Sequence, residues 1–191
     1  DSSSSRGLGD VYKRQVHRAV SSHSVDADTY LSEAAPSSTY NSSDSGTLSD
    51  GIGQQSRLLL RFPMNFTQSD TVHEASINLE CTTEILGSPE LKVYVAEMEE
   101  FWNGSFASWN VYENNQLWDL AGADGDTDRG AWEPSVSLIG NGTLTLNVTS
   151  LAQHAARSNA PYLSVIVASY GAEYACAMSE SIVAADRPVL N

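Results

Sequence analysis

Residues 73–81, HEASINLEC, alternate between polar and apolar side chains, and this period of two constrains the chain more than any other feature. Ala75, Ile77, Leu79 and Cys81 fall on one side; Glu74, Ser76, Asn78 and Glu80 fall on the other. Successive side chains of a strand point to opposite faces, so the segment suits a half-buried strand. The period returns in LKVYVAE, with Leu91, Val93 and Val95, and in GNGTLTLNV, with Leu144, Leu146 and Val148 after a glycine-rich turn. Two runs lack the alternation. SRLLLRF (56–62) and YLSVIVAS (162–169) are apolar on both sides, which predicts strands covered on both faces.

The remaining pattern is consistent with these strands. VDADTYL reads as a first strand, and EYACAMS and RPVLN as the last ones. Residues 37–55, SSTYNSSDSGTLSDGIGQQ, read as a long turn-rich loop. TSLAQHAARSN predicts the one helix, over about 149–158, with Thr149 or Ser150 as N-cap and with Asn159 and Pro161 ending it. Residues 101–132 hold all four tryptophans among Asn, Gly and Asp, a long structured loop with short strands. The expected fold class is all-β, a jelly-roll-like antiparallel β-sandwich with one short helix, forming a single domain over 25–191.

Charge narrows the partners. The chain carries 24 acidic and 10 basic residues, a formal charge of −14. Such a surface repels nucleic acid and anionic lipid, so neither is expected as a partner. No apolar run approaches the roughly 18 residues of a membrane helix, so no membrane insertion by this segment is expected. Ser5–Gln15, SRGLGDVYKRQ, resembles the in-frame translation of a transposase end used in sequencing libraries, so residues 1–15 are read as adapter-derived and non-native. Residues 16–24 then read as a linker, and the native part is expected to belong to a larger chain.

The sites that chemistry could use are few. The four histidines form no HExxH or Cys/His cluster, and no GxSxG elbow is present. Glu97, Glu99 and Glu100 sit beside Trp102, but a glycosidase needs two carboxylates set across a cleft, and a charge run at a strand end suits a solvated surface. The expectation is therefore no enzyme. DGDTDRG is sharper: Asp124, Asp126 and Asp128 alternate, which lets three carboxylates converge on calcium when the loop curls. Arg129 and Ser135 stand where an EF-hand needs Gly and Glu, so the loop is no EF-hand. The other reading is a turn whose Asp side chains bond nearby backbone amides. Beyond calcium no cofactor is expected. Trp102 and Trp118, in polar surroundings, are the candidates for stacking on a sugar ring, against the alternative that they bury area under the loop. Cys81 and Cys176 each fall on an apolar strand face. They read either as buried free thiols or as a disulfide, the second if the domain is extracellular. Asn-x-Ser/Thr triplets at Asn41, Asn65, Asn103, Asn141 and Asn147 agree with a secreted surface.

The order of motifs ADTYL, RLLLRF, ASINLE, LKVYVAE, FWNGSFASWN, LWDLAGADGD, LTLNVTSLAQ and SESIVAADRPVL resembles the DNRLRE-domain family, which is similar to carbohydrate-binding module family 96. The resemblance covers Val25–Leu190. Pro63 and Asn147 stand where that family commonly has Asp. It implies a noncatalytic β-sandwich module of a larger secreted or cell-surface protein, with polysaccharide and other domains of the same chain as partners. The alternative role is a structural or adhesive spacer with no small ligand.

Overall fold

The computed structural model describes residues 21–66, 68–84, 92–134, 141–171 and 173–191. The adapter-like residues 1–15, most of the expected linker, the expected turn at 87–89 and Leu91 lie outside them. Along the chain run β1 (His23–Ser24), β2 (Ala27–Ser32), β3 (Ser45–Leu48), β4 (Ser56–Pro63), β5 (Ser76–Glu84), β6 (Lys92–Glu97) and β7 (Val111–Glu113). They are followed by β8 (Gln116–Leu117), β9 (Glu133–Pro134), β10 (Gly142–Asn147), α1 (Thr149–Arg157), β11 (Tyr162–Tyr170), β12 (Glu173–Ala177) and β13 (Val189–Leu190). Every pairing among them is antiparallel. The fold is an all-β sandwich with one short helix.

In the first sheet β5 is the centre. β10 pairs along one edge, from Ser76 to Cys81, while β13 and β12 share the opposite edge. β1 and β3 lie outside β13 and β12. The second sheet has the order β2-β4-β11-β6-β9. Its pairs Leu60↔Val165 and Leu58↔Val167 put large apolar residues opposite one another. The core forms where the two inner faces meet. Ile77, Leu79, Leu144 and Leu146 pack with Leu58, Leu60, Phe62, Val93, Val95, Leu163, Val165 and Val167, all fully buried. Each phase read from the alternation is therefore correct where it is described.

The outer face of the second sheet is covered too. Leu31, Leu59, Ala96 and Ile166 form a second cluster with Met98, Trp102, Ala107, Trp109, Trp118 and Ala123 from the Trp-rich segment. This is why β4 and β11 carry apolar residues on both faces: one face meets the other sheet and the other meets the folded loop. A small hairpin, β7–β8, turns at Asn115 with φ 59°, a left-handed conformation that Asn tolerates.

Three local readings need correction. The expected linker ends in β1, because His23 and Ser24 pair with Leu190 and Val189. The expected loop at 37–55 contains β3, whose Gly46 reads as a turn residue. A Cβ on Gly46 would lie 2.6 Å from Leu58 Cδ2 and 3.0 Å from Met178 Sδ, so glycine serves close packing there. Third, neither Thr149 nor Ser150 is the N-cap of α1. Val148 holds that position without a side-chain bond. Asn147 Oδ1 instead accepts the Thr149 backbone N–H at 3.0 Å and the Thr149 hydroxyl at 2.8 Å. Asn159, with φ 54°, ends the helix as expected.

Cys81 and Cys176 face each other directly across β5 and β12 and are joined by a disulfide, with Cα atoms 4.0 Å apart. The two residues are 95 apart in the chain, and both are buried.

Candidate functional site

The acidic loop is built inward, on its own backbone. Asp128 is 1% exposed. Its Oδ1 accepts the Asp119 N–H at 2.8 Å, and its Oδ2 accepts those of Leu120 at 3.1 Å and Gly125 at 2.9 Å. Asp124 turns to two arginines: Arg57 Nη2 lies 3.3 Å from Oδ2 and Arg129 Nη2 is 2.5 Å from Oδ1. Burial alone would raise the Asp124 pKa, but bonds and charge from Arg129 and Arg57 outweigh it and hold the carboxyl below its ordinary value. Asp126 points to solvent. Among the described residues no group of three His, Cys, Asp or Glu side chains could hold a metal ion. Asp124, Asp126 and Asp128 thus do not fit calcium. One carboxylate is consumed by amides, another by guanidinium groups, and the turn reading holds.

Arg57 is the reason for that loop's shape. It lies on the outer face of β4, with Leu59 and Arg61, and is 8% exposed. Burial pushes its pKa down, and the Asp124 charge offsets this. Nη1 also donates to the Gly122 carbonyl at 2.6 Å, and the guanidinium carbon lies 5.3 Å from the Trp109 ring centre and 5.8 Å from that of Trp132. Gly122 has φ +81°, and a Cβ there would meet the Trp109 ring at 2.7 Å.

The two tryptophans singled out for sugar stacking are buried, a second correction. Trp102 is fully buried and donates its indole N–H to Ser164 Oγ at 2.8 Å. Trp118 is 4% exposed and donates to the Ser108 carbonyl at 2.8 Å. Both serve as roof beams over the outer face of the second sheet. Phe101, the residue before Trp102, is exposed, at 61%.

Arg61, against which Phe101 packs, lines a polar cleft that no motif announces. The cleft, of about 230 Å³, is lined by Asp26, Asp28, Asn41, Arg61, Asn103, Ser105, Ser179 and Glu180, with Ala27 and Gly104. Five separate stretches of chain build it: the start of β2, the loop after it, β4 through Arg61, the loop after β6 and the turn after β12. Arg61 braces one wall. Its Nε and Nη2 each lie 3.0 Å from Asp26 Oδ2, and Nη1 donates to the Trp102 carbonyl at 3.2 Å. Its guanidinium carbon is 4.9 Å from the ring centres of both Phe101 and Tyr162, and 5.3 Å from that of Trp102. These contacts hold Phe101 in place while leaving most of its ring in water. On another wall Asp28, 4% exposed, accepts the Ser179 N–H at 2.7 Å. Burial pushes its carboxyl pKa up, Ser179 pulls it down by hydrogen bonding, and the Glu180 charge adds to the rise. Asp26 and Asp28 were read only as part of a strand. The signal available was a pair of acids at a strand's start, which is common in any β protein.

The acidic run at the end of β6 has a structural use as well. Glu97 Oε2 lies 2.7 Å from His154 Nδ1, which ties β6 to α1. Burial raises the Glu97 pKa, His154 lowers it, and Glu99 and Glu133 raise it further. A larger depression of about 480 Å³ lies along α1 and β9, lined by Val72, Glu133, Asn147, Thr149, Ser150 and Gln153, with Pro134. Ser150 and Glu133 hydrogen-bond to each other across it at 2.6 Å, so its polar groups are already paired.

Among the described residues no helix is long and apolar enough to cross a membrane. No protein-family model matches the chain, and no curated protein matches it.

Proposed function

We propose that this chain is a noncatalytic β-sandwich module of a larger secreted or cell-surface protein, and that it binds polysaccharide at the cleft beside Phe101. The observation that carries the reading is the pairing of a polar cleft with a held, exposed aromatic ring. Asn41, Asn103 and Ser105 supply amide and hydroxyl groups, Asp28 and Glu180 supply acceptors, and Phe101, outside the lining but packed on Arg61, offers a flat apolar face. Sugar rings need both kinds of surface, since their hydroxyls must be hydrogen-bonded and their C–H faces covered. The cleft is smaller than the roughly 300–1,000 Å³ of pockets that enclose a drug-sized ligand, which suits one unit of an extended chain. The buried disulfide supports an extracellular or surface location, because such bonds persist in oxidising compartments. The resemblance to DNRLRE domains points the same way.

Calorimetry against a panel of oligosaccharides tests this. Heat of binding is expected with at least one glycan, and Phe101→Ala and Asn103→Ala should each weaken it about tenfold or more, the worth of roughly 1.4 kcal/mol. A second reading, a structural or adhesive spacer, draws on the burial of Trp102 and Trp118, whose indole groups are all committed to the fold. Binding that fails across the whole panel, with the protein folded, leaves the spacer role.

A further inference from the structure

Three of the side chains lining the cleft, Asp26, Asp28 and Glu180, are carboxylates. Arg61 is its one cationic side chain, and that charge is paired with Asp26 and packed between rings. The opposite wall is short of protons. Ser179 Oγ lies 2.7 Å from Asp28 Oδ1 and 2.6 Å from Glu180 Oε2, yet a hydroxyl carries a single proton. Ser179 can satisfy only one of the two carboxylates at a time. Water can serve the exposed Glu180 when Ser179 donates to Asp28, but Asp28 is too buried for water to serve it freely when Ser179 donates to Glu180.

We infer that the cleft selects an uncharged glycan over its uronate or sulfated counterpart, with Asp28 and Glu180 as the residues that discriminate. The inference rests on the binding role proposed above. A sugar hydroxyl brings the missing proton and can donate to either carboxylate. A uronate carboxylate or a sulfate brings acceptors alone, finds the one cationic side chain already paired with Asp26, and meets two like charges at close range. Juxtaposed like charges disfavour a complex strongly, and the chain's overall charge of −14 acts in the same direction. The local term differs from the global one in a way that can be measured. Exchange of one cleft carboxylate for an amide barely alters the net charge, but it removes one repulsive partner and adds a donor.

The test uses matched oligosaccharide pairs that differ only in oxidation at C6, in the gluco, manno and galacto series, with binding followed by calorimetry. The neutral member is expected to bind about tenfold or more tightly than the uronate at low salt. The ratio should narrow as salt is raised, because screening weakens repulsion between partly exposed charges. It should narrow further at constant salt in Glu180→Gln, a change at an exposed side chain that leaves the core untouched. Uronates that bind as tightly as their neutral partners overturn the inference and leave the binding role standing. So does a ratio indifferent to both salt and Glu180→Gln. If neither member of any pair binds, the binding role fails and this selectivity with it.

Discussion

The indole N–H of Trp102 donates to Ser164 Oγ at 2.8 Å, on the outer face of β11. That bond pins the Trp-rich segment to the second sheet, and it leaves the preceding residue, Phe101, facing water. Adjacent aromatic residues therefore have opposite duties. Trp102→Ala should cost about 3–5 kcal/mol, through lost burial and the cavity left behind. Phe101→Ala should change stability by about 1 kcal/mol or less, since its ring is mostly solvated. Urea unfolding of the two variants measures the difference; a larger loss for Phe101 would put the wrong ring in the core.

The Cys81–Cys176 bond closes a loop of 95 residues between directly opposed strand positions. Closing a loop of that length removes conformational freedom from the unfolded chain, worth about 4–5 kcal/mol in the chain-entropy treatment. The double variant Cys81→Ala, Cys176→Ala should lose a comparable amount, read as a lower denaturant midpoint. Thiol titration of the native protein should find no reactive cysteine; two titratable thiols would contradict the bridge.

Asp128 holds three backbone amides, those of Asp119, Leu120 and Gly125. Asp128→Ala leaves these donors without their acceptor in a buried setting, which should cost about 2–4 kcal/mol. Asp126→Ala should cost about 0.5 kcal/mol or less, as expected for an exposed side chain. Saturating calcium should leave the melting temperatures of the wild type and of both variants unchanged. A rise in the wild type that Asp126→Ala abolishes would restore the metal reading.

Asp124 lies between Arg129 and Arg57, which hold its pKa below the ordinary 3.8 in spite of burial. A carboxyl with a depressed folded pKa stabilises the native state fully above its unfolded value, and that contribution fades as pH falls through the folded value. Asp124→Asn should therefore be less stable than the wild type at neutral pH, by about 1 kcal/mol, a modest figure because the side chain is 42% exposed and partly screened. The gap should close in strong acid. Unfolding curves taken from neutral to acid pH check the trend, and a gap that widens on acidification would reverse the sign argued here.

The site was less legible than the fold, for reasons visible in particular residues. DGDTDRG carries the composition of a cation loop and of a hydrogen-bonded turn alike. What separates them is where Arg57 lies, 67 residues earlier in the chain, and no spacing rule reaches that far. Trp102 and Phe101 are neighbours in sequence, and which of them faces the sheet depends on how the whole segment lies across it. The cleft draws on five separate stretches, each of ordinary composition. Gly46 misled for a related reason: glycine reads as a turn, but here it admits Leu58 against a strand.

The sequence by itself did not determine the short strands β1 and β3, but it did determine the long strands, their buried faces and helix α1. These follow from side-chain period and from Asn159 and Pro161, which are local properties that every copy of the chain carries before it folds. Even the covering of both faces of β4 and β11 was implied by their unbroken apolar runs. Only the tertiary structure decided which partner each polar group would meet. Hydrogen bonds and ion pairs act over a few ångströms between residues far apart in the chain, so Asp128 became a brace for amides, Asp124 a counter-ion for two arginines, and Asp28 a wall of the cleft.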